Sequence, residues 1–265
     1  MKIILHVVNS LNKGGAETFL CRLIINDAVN KHVVISLLKG GELENDLIIH
    51  KKEVYSLNFN NLYNSIFYFF KLIFYILIIK PDIVQTWLYH SDLIGGLAAK
   101  ICNVNQIIWT VRTSLQNDSE YKITTRIIKF INSKLSYIIP NKIIYCSKRI
   151  YNEHLEFGYK KRQAFIVYNG VNTQKFRKRI KQDKDFLAEF FEKKQLRFVM
   201  ISNFIRQKDH LNLLKAINLL KSKDLNFKVI FVGNNFDQNG SYLNEYIVKN
   251  KINKFVSIYG YCDHV

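Results

Sequence analysis

The sequence predicts an α/β protein made of two doubly wound units, and three features of the pattern predict it. Short apolar runs alternate with helix-length segments, as in a parallel sheet covered on both faces. Glycine recurs just after the carboxyl ends of the predicted strands, at Gly14, Gly170, Gly233 and Gly260. A strongly polar stretch, 169–194, separates one complete alternation from the start of another.

The first unit, residues 1–168, opens with a mostly apolar strand at Ile3–Val8, stopped by Asn9, Ser10 and Asn12. A helix at Ala16–Ala28 follows the Gly14-Gly15 turn, and a strand at Val33–Leu37 comes next. Leu62–Ile79 has the length of a helix, and Ile83–Trp87, after Pro81, reads as a strand. Asp92–Cys102 forms a helix in which Gly95-Gly96 permit close packing. The pattern then gives strand Ile107–Val111, helix Lys122–Ser136, strand Ile143–Cys146, helix Lys148–Phe157 and strand Phe165–Val167. After the crossover at 169–194 the alternation restarts over residues 195–265. Its elements are strand Phe198–Ser202, helix His210–Lys221 with Leu213, Leu214, Ala216 and Ile217 at helical spacing, strand Lys228–Val232, helix Tyr242–Asn250 and strand Phe255–Tyr259. A second unit of the same class is thus begun and, on this expectation, left incomplete at Val265, because domains usually run to about 100–150 residues.

Bulk properties exclude several rivals. With 48% hydrophobic residues in a chain of 265, a sizeable core is available and disorder is not expected. Cys21, Cys102, Cys146 and Cys262 stand far apart with no CxxC pair, so neither a zinc site nor a disulfide framework is suggested, and a reduced cytoplasm fits. No two histidines have metal-ligand spacing, and no metal or other cofactor is expected. The N-terminal apolar run is too short for a secretory signal and reads as a first strand. The most apolar stretch, Ile66–Ile79, is broken by Lys71 and falls short of the roughly 20 residues of a bilayer span. A helix facing the core is expected there, with a face lying on a membrane surface as the alternative. The formal net charge is +18, and between Tyr121 and Lys181 there are 15 Lys or Arg against two acids, Glu153 and Glu156. That excess suits an anionic partner such as lipid headgroups or a lipid-linked diphosphate. Neither an RNP-like aromatic strand nor a helix-turn-helix pattern supports nucleic acid as the partner.

The loops after the strands carry the chemistry. In Asn9-Ser10-Leu11-Asn12-Lys13-Gly14-Gly15-Ala16-Glu17, two glycines clear side-chain bulk from a helix N-terminus, whose unpaired N–H groups favour phosphate. The third glycine of GxGxxG is missing, which argues against a standard dinucleotide site. Val167-Tyr168-Asn169-Gly170-Val171-Asn172-Thr173, closing with Phe176, follows a strand. Ile201-Ser202-Asn203-Phe204-Ile205-Arg206-Gln207-Lys208-Asp209-His210 leads from a strand into a helix and puts a lysine where anions bind at the carboxyl edge of a parallel sheet. Gly233 and Gly260 end two further strands. His90, in Trp87-Leu88-Tyr89-His90-Ser91-Asp92, lies at another strand end; ligand contact and N-terminal capping or packing are both open to it.

Taken in order, these segments resemble family 4 of the retaining glycosyltransferases, which have the GT-B fold of two Rossmann-like domains. The family's GGAE loop is matched at Gly14–Glu17, its NGVD crossover at Asn169–Asn172, its phosphate loop at Ser202–Lys208, and its glycine strand ends at Gly233 and Gly260. The resemblance implies a sugar moved from a nucleotide-sugar donor, with retention, to a lipid-linked or saccharide acceptor in surface polysaccharide or lipopolysaccharide assembly, peripherally at the inner face of a membrane. Gly14, Gly15, Asn203, Lys208, Gly233 and Gly260 would bind the donor, with Lys208 neutralising the diphosphate leaving group.

Three departures from the family pattern qualify the match. Asn203 replaces an arginine beside the phosphate, with Arg206 shifted by three positions. Arg112 stands where a histidine is common; an always-charged guanidinium is no base, so Arg112, with His90, is assigned to the acceptor. The family's Glu-x7-Glu pair has no counterpart, so no catalytic residue is assigned. The competing expectation is therefore an inactive, truncated remnant that folds and binds nucleotide at most.

Overall fold

In a computed structural model, the described residues are 1–59, 62–115, 122–174, 195–205, 208–223, 225–234, 236 and 241–260. Most of the expected crossover, including Phe176, lies outside them, as do Arg206, Gln207 and Cys262. The chain divides into two compact units, Met1–Thr173 and Gln174–Val265.

The first unit runs β1 (Ile3–Val8), α1 (Gly15–Asn26), β2 (Lys31–Ser36), α2 (Glu42–Ile49), β3 (Glu53–Ser56), α3 (Leu62–Ile79), β4 (Ile83–Trp87), α4 (Tyr89–Ile101), β5 (Gln106–Val111), α5 (Ile123–Leu135), β6 (Lys142–Tyr145), α6 (Lys148–Glu156) and β7 (Ala164–Ile166). All seven strands are parallel, in the order β3-β2-β1-β4-β5-β6-β7. The chain steps one way from β1 to β3 and the other way from β4 to β7. Because such crossovers are right-handed, α1 and α2 fall on one face, and α3, α4 and α5 on the other. The packing agrees, with α1 against α2 and α4 against both α3 and α5.

Alternate residues of β1 serve the two faces. Leu5 and Val7 join Val33, Val84, Leu72, Ala98 and Trp109 under α3 and α4, while Val8 joins Leu20, Ile24, Val34, Leu47 and Trp87 under α1 and α2. The close seat of α4 depends on missing side chains. A Cβ on Gly96 would stand 2.7 Å from the Trp109 indole nitrogen, and one on Gly95 2.9 Å from Val7 Cγ1, so the pair serves packing. Ser147 caps α6 by accepting from the Ile150 N–H at 3.2 Å.

Three expectations need correction. α2 and β3 were not expected: a charged eight-residue helix and a four-residue, half-exposed edge strand carry too little periodic signal. α4 starts at Tyr89 rather than Asp92. Finally, the core-facing reading of α3 holds for one side of the helix only. Leu72 and Ile76 are fully buried in the core, whereas six large apolar side chains among its described residues are exposed.

The second unit runs β8 (Leu196–Ile201), α7 (His210–Leu220), β9 (Phe227–Val232), α8 (Ser241–Lys249), a 3-10 turn at Asn253–Phe255 and β10 (Val256–Tyr259). Its three strands are parallel in the order β10-β9-β8. Central β9 is buried, and its Phe227, Val229 and Phe231 pack with Phe204, Leu214, Ile217, Leu243 and Ile247.

Candidate functional site

In the first unit the strand order reverses between β1 and β4, and their carboxyl ends are level, with Val8 opposite Trp87. Loops leaving that point diverge to opposite faces and open a crevice, the usual ligand position in open α/β sheets. Gly14 caps α1 in an extended conformation (φ −130°, ψ 173°) and accepts from the Thr18 N–H at 2.9 Å. Neither Gly14 nor Gly15 has the left-handed backbone that would demand glycine. A Cβ on Gly15 would meet nothing within 4 Å, so the α1 N-terminus faces cleared space. Glu17, in the first turn, folds back toward Gly14, and burial pushes its carboxyl pKa up.

Arg112 leaves the end of β5 between two aromatic rings. Its guanidinium carbon lies 3.9 Å from the Phe19 ring centre and 4.9 Å from that of Trp87, and Nη1 donates to Asn169 Oδ1. Nε is buried with no hydrogen-bond partner among the described residues, and burial lowers the pKa of a group that nonetheless stays charged at neutral pH. Arg112 and Asn169, assigned from separate motifs, therefore meet.

Trp87 is itself held by a buried chain. Its indole N–H donates to His6 Nδ1 (3.2 Å), which requires His6 Nε2 to donate to His32 Nδ1 (2.9 Å) and His32 Nε2 to donate to Asp27 Oδ2 (3.0 Å). Every group has one consistent tautomer. Complete burial, followed by the His32 neighbour, pushes the His6 pKa down to about 3, so its ring stays neutral and keeps accepting. Hydrogen bonds from Asn30, Val29 and His32 hold Asp27 well below the usual carboxylate range.

His90 lies half-buried in the first turn of α4, with its pKa lowered by burial. It does not cap that helix; the N-cap is Leu88, at φ 70° and ψ 162°. This region is almost reserved for glycine and costs about 1–3 kcal/mol, a strain that clusters at ligand sites. Sequence reasoning missed Phe19, Trp87, His6 and Leu88 as parts of this site. Only Trp87, a large ring at the last position of a parallel strand, offered a signal.

In the second unit, backbone hydrogen bonds draw three strand ends to one edge. Ser202 N–H donates to Val232 O (2.9 Å), Phe204 N–H to Asn234 O (2.8 Å) and Gly233 N–H to Gly260 O (3.2 Å). Gly233 is required here, since a Cβ would collide with the Ser202 carbonyl. Asn203, Gly233 and Gly260 thus share one edge. Exposed Lys208 stands just before α7, whose first residue His210 is fixed by stacking on Phe204 (4.6 Å) and by a bond to Ser202 Oγ (3.0 Å). Among the described residues no group of three or more His, Cys, Asp or Glu could hold a metal ion.

Two parallel α/β units, each with glycine-bearing strand ends gathered at a carboxyl edge, define the GT-B class of glycosyltransferase fold. The chain belongs to Glycosyltransferase Family 4, whose model matches residues 13–175. It is 24% identical over 239 residues to the capsular polysaccharide biosynthesis glycosyltransferase CapH of Staphylococcus aureus, covering 87% of this chain and 62% of that protein. The crystal structure of Anabaena Alr3699/HepE in complex with UDP-glucose is similar in fold, with a TM-score of 0.82 at 14% identity over 100% of this chain and 70% of that one. A glycosyltransferase from Rickettsia africae gives a TM-score of 0.75 at 18% identity, over 99% and 69%. The chain thus spans about three fifths of CapH and about 70% of these solved chains.

Proposed function

We propose that the protein transfers a sugar from a nucleotide-sugar donor, with retention, to a lipid-linked or saccharide acceptor in surface polysaccharide assembly, at the cytoplasmic face of a membrane. The observation that carries this reading is the gathering of Asn203, Gly233 and Gly260 at one sheet edge, with Lys208 at the head of α7, in a chain of this family. HepE, similar in fold, was crystallised with UDP-glucose, which supports a nucleotide sugar as donor.

A departing nucleoside diphosphate gathers negative charge as the glycosidic bond breaks. Lys208 and the N–H groups opening α7 would offset that charge without a metal, and fixed donors of this kind each contribute about 3–4 kcal/mol to a barrier. Gly233 and the Tyr259–Gly260 strand end are assigned to the nucleoside pocket, and Gly14 and Gly15 to the diphosphate and sugar, with open space beside Gly15. Arg112 and His90 are assigned to the acceptor, with Arg112 suited to an anionic one.

Calorimetry with UDP and the Lys208→Ala variant tests the donor site. Binding weakened about tenfold or more is expected, the value of one charge-assisted contact; unchanged affinity refutes the assignment. UDP binding without transfer from a panel of nucleotide sugars would favour the second reading, a nucleotide-binding chain lacking turnover.

A further inference from the structure

We infer that the exposed apolar faces of α3 and α5 form a two-helix docking surface that lies in the plane of an anionic lipid bilayer. On α3, Ile66, Phe67, Phe70, Phe74, Leu77 and Ile78 are each 54–65% exposed. Spaced at i, i+1, i+4, i+8, i+11 and i+12, they share an arc of about 120° at the helical repeat of 3.6 residues. On α5, Ile123, Ile127, Phe130 and Ile131 repeat the pattern at i, i+4, i+7 and i+8. Both helices belong to the same face of the sheet and flank α4, which Gly95 and Gly96 let sit close against β1 and β5.

Charge identifies the occupant. On α3, α4 and α5 and the residues adjoining their ends stand Lys71, Lys80, Lys100, Lys122, Arg126 and Lys134, while the one acid among the described residues of these three helices, Asp92, is fully buried. Helix faces of aromatic and aliphatic stripes with cations, and with no exposed carboxylate among their described residues, match anionic headgroups above an acyl boundary. A second copy of the chain fits poorly, since a two-fold contact through this face would oppose cation to cation. The face lies on the bilayer rather than through it; no helix among the described residues is long and apolar enough to cross a membrane. Apolar insertion thereby adds to the electrostatic attraction expected of 121–181. The inference rests on the reading of a membrane-borne acceptor, which this face would hold the first unit beside.

The test is flotation of the full chain with vesicles of phosphatidylcholine alone or mixed with phosphatidylglycerol, alongside UDP calorimetry on the same preparations. Wild type is expected to float with the mixed vesicles, and high salt to reduce this only in part, since insertion of apolar rings is not screened. Phe70→Ser with Phe74→Ser should lower vesicle binding about tenfold or more, because each ring forfeits part of its transfer from water. Lys80→Gln with Lys134→Gln should lower binding only to the mixed vesicles. Ile48→Ser with Ile49→Ser, equally exposed on α2 of the opposite face, serves as control and should change nothing. Unchanged tryptophan emission in all variants confirms the fold. Wild type that fails to float, a Phe70/Phe74 variant that floats like wild type, an equal loss in the α2 control, or a wild-type dimer abolished by the Phe70/Phe74 change would each overturn the inference. Failure to float with UDP binding intact overturns the docking face alone. Flotation without UDP binding overturns the donor reading alone.

Discussion

The buried histidine chain makes acid sensitivity a quantitative consequence of the fold. The perturbation is His6→Gln, whose amide can still accept from Trp87 and donate to His32 but cannot take up a proton. In the folded chain His6 titrates near 3, and in the unfolded chain near 6.5. Between those values the unfolded state binds more protons than the native one, so stability falls as pH falls through the window. Integrated from pH 7 to pH 5, the linkage amounts to about 2 kcal/mol for wild type and nothing for the variant at this site. Whatever the substitution costs at pH 7, that cost should shrink by about 2 kcal/mol at pH 5. Taking the difference also cancels two other buried groups. His154, held down to about 4 by burial, adds a loss of the same sign; Asp92, raised by burial, titrates in the opposing direction. Urea unfolding followed by tryptophan emission isolates the right unit, because both tryptophans, Trp87 and Trp109, are buried in residues 1–173. A penalty for His6→Gln that is the same at pH 7 and pH 5 would refute the neutral, doubly bonded His6 and the tautomer chain built on it.

Other outcomes follow from the same geometry. Gly96→Val should destabilise the first unit by about 1–3 kcal/mol or more, since its Cβ meets the Trp109 ring and α4 must lift from the sheet; an unchanged urea midpoint would contradict the close seat. Arg112→Lys keeps the charge but loses the planar stacking on Phe19 and Trp87, worth about 1–2 kcal/mol for desolvated pairs. In a transfer assay it should raise the acceptor KM while leaving UDP affinity unchanged, and a purely donor-side defect would remove Arg112 from the acceptor.

How much of this was legible beforehand depended on signal length. The long parallel strands declared themselves because both faces are buried: β1 and β4 run as expected from Ile3 to Val8 and from Ile83 to Trp87. The strand-end glycines were equally visible, and Gly233 proves to be dictated by the Ser202 carbonyl. By contrast α2 and β3 are too short and too polar for periodicity to mark.

Composition could establish that Ile66–Ile79 is a helix-length apolar segment too short and too broken to span a bilayer; it could not say which way its rings point. That depended on α3 lying at the flank of α4, where the helix surface is wider than the core it covers, so Leu72 and Ile76 turn inward and Phe70 and Phe74 do not. The candidate site divides in the same way. Sequence by itself determined the residue types and their strand-end positions, because backbone turns and helix starts are local. Only the tertiary structure brought Arg112 between Phe19 and Trp87 and against Asn169, and linked Trp87 through His6 and His32 to Asp27, because Trp87, Asn169 and Phe19 lie 25, 57 and 93 positions from Arg112 and His6 lies 81 from Trp87. No local rule of sequence carries that distance; the parallel sheet, which sets β1, β4 and β5 side by side, does.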